Sequence, residues 1–200
     1  MTQLLTSGMW LVVGLALVTS GLSPYERSTW WMEVAPIFLV VPVLWCSRKN
    51  FPLTPMLMGL IALHALVLII GGAYTYARVP FGFWMQDVLH LSRNPYDKIG
   101  HFMQGFVPAL AAREVLIRRD WVVKAGVASV LASCVAMSIS ALYELIEWWA
   151  ALILGQGADA FLGTQGDVWD TQSDMFFALI GALMAMVFLR HIQDEQIRRV

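Results

Sequence analysis

The chain has 200 residues, of which 58% are hydrophobic and 14% charged, with a formal net charge of −1 and a mean hydropathy of +0.66. A soluble domain carries about 25% charged residues, so this composition excludes an ordinary water-soluble fold and describes an integral membrane protein. The near-neutral balance lacks the basic footprint of a nucleic-acid binder.

A spanning helix needs roughly 20 apolar residues, and the chain offers about six such stretches, which make residues 1–200 one integral membrane domain. The first, about 3–22, closes at Gly21 and the Ser23-Pro24 turn. It has no Lys or Arg ahead of it and no clean small-x-small cleavage site after it, so it reads as a spanning helix rather than a signal peptide. The second, about 29–47, contains Pro36 and Pro42, which spanning helices tolerate as kinks. The third, about 54–75, starts at Thr54-Pro55. In the stretch 76–95, Phe81, Trp84, Val88 and Leu91 fall near one face of a short helix that would lie on the outer leaflet. Asn94-Pro95 ends it. The fourth span is about 96–117, the fifth about 122–154 and the sixth about 170–190. The fifth is longer than a bilayer needs, so it tilts or projects. The expected fold is all-α, a polytopic bundle of about six transmembrane helices plus a short interfacial helix. Cys46 and Cys134 lie in apolar segments without a disulfide or metal spacing and read as small core residues.

Basic residues set the expected topology. Arg48, Lys49, Arg113, Arg118, Arg119, Lys124, Arg190, Arg198 and Arg199 fall on one side if the spans alternate. Only Arg27, Arg78, Arg93 and Lys98 fall on the other. The positive-inside rule then puts both termini in the cytoplasm.

On that topology the acids converge. Asp97 and His101 open the fourth span, Glu144 and Glu147 lie in the outer part of the fifth, and Asp167, Asp170 and Asp174 lead into the sixth. All reach the outer side, although only Lys and Arg entered the topology. Asp97/His101 at i,i+4 and Glu144/Glu147 at i,i+3 each share a helix face, and bundles build metal sites from such inward-facing pairs. Acids inside a bilayer are costly, and crowded carboxylates repel. A divalent metal, a salt-bridge and hydrogen-bond network, or a proton or ion pathway would each answer that cost, and all three stay open here. If a metal, the ligands would be Asp97, His101, Glu144, Glu147, Asp170 and Asp174, and oxygen-rich ligation with one His suits Mn, Fe, Zn or Mg.

Individual residues also have plainer readings. Asp97 and Asp170 suit helix caps or first turns. Asp167 suits a solvated loop, and His64, alone in the third span, suits packing or hydrogen bonding. Tyr143, one turn before Glu147, is placed to donate a hydrogen bond to it. The glycine-rich loop from Gly155 to Gly166 has no Lys and is not a phosphate-binding P-loop. No G-x-S-x-G or H-E-x-x-H motif is present.

Three stretches carry a resemblance: Asn94-Pro95-Tyr96-Asp97-Lys98-Ile99-Gly100-His101, Tyr143-Glu144-Leu145-Ile146-Glu147, and Leu162 through Asp174. With Phe81-Gly82-Phe83-Trp84, they closely resemble the YjdF family of bacterial inner-membrane proteins. That resemblance implies a multi-pass protein of the bacterial inner membrane and brings no activity with it. A more distant likeness is to VanZ-like membrane proteins, whose Asp-Lys-x-x-His motif is matched by Asp97, Lys98 and His101, and whose final helix opens with an Asp as at Asp170. Asp174 stands where those proteins tend to carry Asn, and the basic residue expected after the middle acidic motif is missing. This likeness implies a lipid or cell-wall ligand.

The first expectation for function is a metal-dependent enzyme acting on a lipid or other envelope substrate, with Glu144 and Glu147 catalytic. Lys98, Arg93, Tyr143 and Trp169 would bind the substrate, the two cations holding an anionic group. The alternative is a non-catalytic protein that binds a ligand or ion in the same pocket, and a proton-coupled transporter comes third. Membrane lipids are the only partners the sequence implies.

Overall fold

The computed structural model describes residues 2–154 and 165–200, and all their regular elements are helical. In chain order these are α1 (Thr2–Leu22), α2 (Arg27–Ser47), α3 (Pro55–Tyr74), α4 (Pro80–Leu89), α5 (Tyr96–Arg118), α6 (Ala125–Leu154) and α7 (Asp170–Met184). A π-helical turn at Ala185–Leu189 then runs directly into α8 (Arg190–Ile197). The residues 155–164 of the glycine-rich loop lie outside the described residues.

Four helical stretches are long and apolar enough to cross a membrane: α2, α3, Ala125–Ile153 of α6, and the continuous rod Asp170–Ile197. The last therefore runs past the boundary expected near residue 190. In α1 the apolar described stretch, Gly8–Leu22, is shorter. Helix α5 has 23 residues but carries Asp97, Lys98, Arg113, Glu114 and Arg118, too many charges for a lipid-facing span. Its surroundings explain the tolerance. It packs against α3, α6 and α7, while α1 and α2 each pack on α3. Polar residues on α5 thus meet protein rather than hydrocarbon.

The core is built for close helix approach. Leu57, Met103, Val107, Leu110, Ala182 and Met186 fill the space between α3, α5 and the last rod. A second cluster of Val13, Trp30, Val34, Ile37 and Ile69 joins α1, α2 and α3, and the Trp30 indole N–H donates to Ser20 Oγ at 3.0 Å. Large apolar side chains such as Leu39, Val43, Leu152 and Phe188 instead face outward, as expected where the solvent is lipid and small residues make the interfaces. Cys46 and Cys134 correct an expectation: both are exposed on the bundle surface rather than in the core. An apolar run facing lipid accepts a thiol as readily as a core does.

The tightest approach is between α5 and α7. A Cβ on Gly105 would sit 1.8 Å from the Ala178 carbonyl oxygen, and one on Gly181 would sit 2.1 Å from that of Phe102. Both obstacles are backbone, which cannot swing away. At the end of the bundle where α5 finishes, a second polar network ties the helices. The Glu114 carboxylate accepts from Thr54 N–H at 2.9 Å and Thr54 Oγ1 at 2.7 Å and pairs with Arg118 at 2.9 Å. Fully buried Arg113 reaches Ser129 at 3.0 Å, Gln193 at 3.0 Å and Asp194 at 2.8 Å. Two of the basic residues that set the expected topology are thus paired inside the bundle.

Gly105→Val or Gly181→Val is expected to destabilise the protein by about 1–3 kcal/mol or more, since overpacking here meets backbone. Gly59→Ala, where an added Cβ meets nothing within 4 Å, is expected to be neutral or slightly stabilising. Thermal unfolding of the purified variants in detergent checks both.

Candidate functional site

The site starts from the first turns of α5. Asp97, Lys98 and His101 leave this helix beside the start of α7, and the close crossing at Gly105 holds the two helices at that distance. Lys98 Nζ lies 2.8 Å from Asp170 Oδ1, 2.6 Å from Asp174 Oδ1 and 3.8 Å from Asp97 Oδ2. One ammonium therefore serves three carboxylates. Arg93, in the loop before α5, pairs with Asp170 at 2.6 Å and with Asp167 at 3.0 Å. That loop is pinned by buried Asn94. Its amide donates to Val79 O at 3.0 Å and its Oδ1 accepts from Tyr96 N–H at 3.1 Å. Its backbone exchanges two hydrogen bonds with the Gln165 side chain, at 3.1 and 3.0 Å.

His101 is the centre of the next ring. Its Nε2 lies 3.3 Å from Asp97 Oδ1 and 3.7 Å from Asp174 Oδ1. Its Nδ1 lies 3.1 Å from Gln104 Oε1 and 3.7 Å from Glu144 Oε1. Asp97, His101 and Asp174 each offer a ligand atom, and these atoms lie within 4.8 Å of one another. Glu144 Oε1 is buried and has no hydrogen-bond partner, although Thr171 on α7 bonds to the same carboxyl group.

A cavity of about 600 Å³ begins here, and Glu33, Tyr76, Asp97, His101, Tyr143 and Glu147 form its polar end. From there it runs between α2, α3, α5 and α6 over largely apolar walls. A second cavity of about 450 Å³ lies between α4 and the α5–α7 pair, with Arg93 and Lys98 on its wall.

Several sequence expectations change in detail. Tyr143 donates its hydroxyl to Glu33 Oε2 at 3.2 Å, not to Glu147, because α2 stands opposite and offers an acceptor from another helix. Glu33 itself escaped the sequence reading, although the rule that singles out Glu144, an acid inside an apolar run, also applies to it. Only 5% exposed, it joins the site from α2. Tyr76, in the loop after α3, was also missed. Its phenol is held well above its usual value by burial and by the facing Glu33 carboxylate, so it stays a hydrogen-bond donor. Asp167 is an ion-pair partner of Arg93 rather than only a solvated loop acid. Asp170 is the first-turn acid of α7, as expected, and its carboxylate also pairs with Lys98 and Arg93. Lys98 and Arg93 are both committed to acids, which leaves little basis for holding an anionic group in the main cavity. Trp169 is 67% exposed and lines neither cavity. His64 lines the main cavity, and its Nε2 has no hydrogen-bond partner.

Helix α4 presents Phe81 and Trp84, stacked at 5.4 Å, with Val88 on its outward side. Its Gly82 rests against Asn94, where a Cβ would come within 1.8 Å of the amide oxygen.

Residues 5–195 match the family model described as predicted membrane protein (DUF2238). The chain is also 57% identical over 189 residues to the inner membrane protein YjdF of Escherichia coli (strain K12), covering 94% of this chain and 90% of that one. No solved structure matches it. The chain belongs to the DUF2238 membrane-protein family.

Lys98→Met leaves Asp174 buried without its ammonium partner, while Asp170 keeps Arg93. Breaking a buried pair from one side costs about 3–5 kcal/mol. The expected outcome is a lowered unfolding midpoint in detergent that Asp174→Asn, added to Lys98→Met, partly restores. If the double variant is as unstable as the sum of the singles, the two residues are not coupled.

Proposed function

Taking membership of this membrane-protein family as the premise, we propose that the protein binds one divalent cation through Asp97, His101 and Asp174. With that cation it acts as an enzyme on a lipid or other envelope substrate that reaches the site through the cavity. The observation that carries this reading is the meeting of three ligand atoms within 4.8 Å at the polar end of a cavity. Two features support the fit. Seven carboxyl groups, those of Glu33, Asp97, Glu144, Glu147, Asp167, Asp170 and Asp174, gather at this end of the bundle, where Arg93 and Lys98 pair with four of them. The buried, unpartnered Glu144 Oε1 beside His101 is a further oxygen donor. Oxygen donors with one imidazole suit Mn, Fe, Zn or Mg, and such an ion supplies Lewis acidity and a water nucleophile at neutral pH.

The chain's own residues take the remaining roles. Lys98, bound to Asp170 and Asp174 together, holds α5 and α7 in register so that His101 and Asp174 face each other. Gln104, at 3.1 Å from His101 Nδ1, orients the imidazole. Glu147 lines the cavity and would act as general base, with Glu144 as the second catalytic acid.

The distribution of Lys and Arg supports both termini in the cytoplasm and the acidic end toward the outer face. On that reading α1 and the protein-enclosed α5 complete about six crossings, and α4 lies along the outer interface. The E. coli relative's name supports placement in the bacterial inner membrane. A second reading, a non-catalytic membrane protein that binds a ligand or ion in the same pocket, is favoured by the pairing of Lys98 and Arg93 with acids.

Equilibrium dialysis against Mn²⁺ followed by elemental analysis tests the first reading. The wild type is expected to hold one ion per chain, and Asp174→Asn or His101→Ala to weaken binding by about tenfold or more. A wild type that binds no more ion than Asp174→Asn would overturn the metal site and leave the non-catalytic reading.

A further inference from the structure

The main cavity is long, narrow and one-sided in its chemistry. Its wall on α5 is a stripe at helical spacing, from Asp97 and His101 through Gln104, Val107 and Ala111 to Leu116. Nineteen residue steps at about 1.5 Å each make this about 28 Å of helix, close to the roughly 30 Å of a bilayer's hydrocarbon core. Ionisable groups other than His64 gather at one end. Beyond Gln104 the α5 wall carries no polar side chain, and Trp121 stands at the far end. The wall is widened by small residues, with Gly100, Ala111 and Ala112 on α5 and Ala65 on α3.

The cavity also opens sideways. Val40 and Val41 on α2 and Val135 and Ile139 on α6 line it, yet each remains 38–41% exposed. Residues that both line a cavity and face outward form its rim. The gap between α2 and α6 therefore faces the surroundings along the helices' length, where apolar residues such as Leu39 and Leu142 already face lipid. At the polar end the Tyr143–Glu33 bond ties the two helices together. Apolar walls without ligating oxygens do not suit an ion path.

We infer that this groove holds a single hydrocarbon chain of a membrane lipid, taken in sideways between α2 and α6, with an uncharged or cationic hydrogen-bond-donating head against Glu33, Tyr143, Glu147 and His101. The chemistry is that of a long-chain alcohol or amine. Shape, length and lateral opening select the chain. The lining selects the head: Glu33, Asp97 and Glu147 offer carboxyl oxygens at the polar end, and no Lys or Arg is among the residues that line this cavity. An anionic head finds no Lys or Arg to pair with there, whereas a hydroxyl or ammonium group meets acceptors. The inference deepens the proposed function by naming its substrate class and rests on it for the enzymatic step. Binding of the chain itself needs no metal.

Photolabelling of the full-length protein in phosphatidylcholine vesicles, with chelator present throughout, tests it. Because chelator is present, loss of the metal reading cannot produce a negative result. The probe is a diazirine-bearing long-chain alcohol, and peptide mapping locates the label. The expected result is label concentrated on groove-lining residues of α2, α5 and α6, displaced by unlabelled long-chain alcohol. It should be several-fold weaker with the diazirine-bearing carboxylic acid of the same length. Ala112→Phe and Ala65→Phe, which fill the groove, are expected to lower the labelling several-fold, while Leu39→Phe on the outer face leaves it unchanged. Label spread over the outer faces of α1, α2 and α7, indifferent to competitor, would overturn the groove. Equal labelling by alcohol and acid would overturn the head. Should a filled variant fail to fold, the wild-type competition decides by itself.

Discussion

Two peptide backbones in direct contact govern the rest of this structure. Where Gly105 meets Ala178 and Gly181 meets Phe102, α5 and α7 approach so closely that neither glycine has room for a Cβ. In lipid there is little hydrophobic drive between helices, so such close packing supplies the attraction. The crossing sets the distance between the first turns of the two helices, and that distance lets one lysine reach two carboxylates on the opposite helix. Without it, Asp97, His101 and Asp174 would belong to separate surfaces.

The same crossing answers how a helix as polar as α5 survives in a membrane protein. Its neighbours α3, α6 and α7 cover it, and each end carries its own compensated network. At one end Lys98 and Arg93 serve Asp97, Asp167, Asp170 and Asp174. At the other, Arg118 and Thr54 serve Glu114, while Arg113 reaches Asp194. Buried charges are tolerated when paired and hydrogen-bonded. The two ends differ in one respect: among the described residues the Glu114 carboxylate is fully partnered, whereas the His101 end keeps an orphan carboxylate oxygen on Glu144.

Much of this site was legible in the chain because helical spacing and strand-like alternation leave different marks, and the acids mark their own cost. Asp97/His101 and Glu144/Glu147 stand out by spacing alone, and the topology drawn from Lys and Arg brings them to one end. Partner choice was not legible. Tyr143 was matched to Glu147 because a helical turn separates them, yet it bonds to Glu33, more than a hundred residues away. Spacing rules see one helix at a time, while hydrogen bonds form with whatever helix lies opposite. The same limit explains the cysteines: an apolar context does not say whether the surface met is protein or lipid.

Composition and periodicity by themselves determined that this is an all-helical membrane protein and that its acids need partners, since burying charge in hydrocarbon is expensive wherever it occurs. Only the tertiary structure decided which acids share a cation, that Glu33 joins them from α2, and that α2 and α6 stand apart to leave a groove. Those outcomes depend on interhelical distance, which glycines and alanines set through backbone contact and which no residue announces from its own position in the chain.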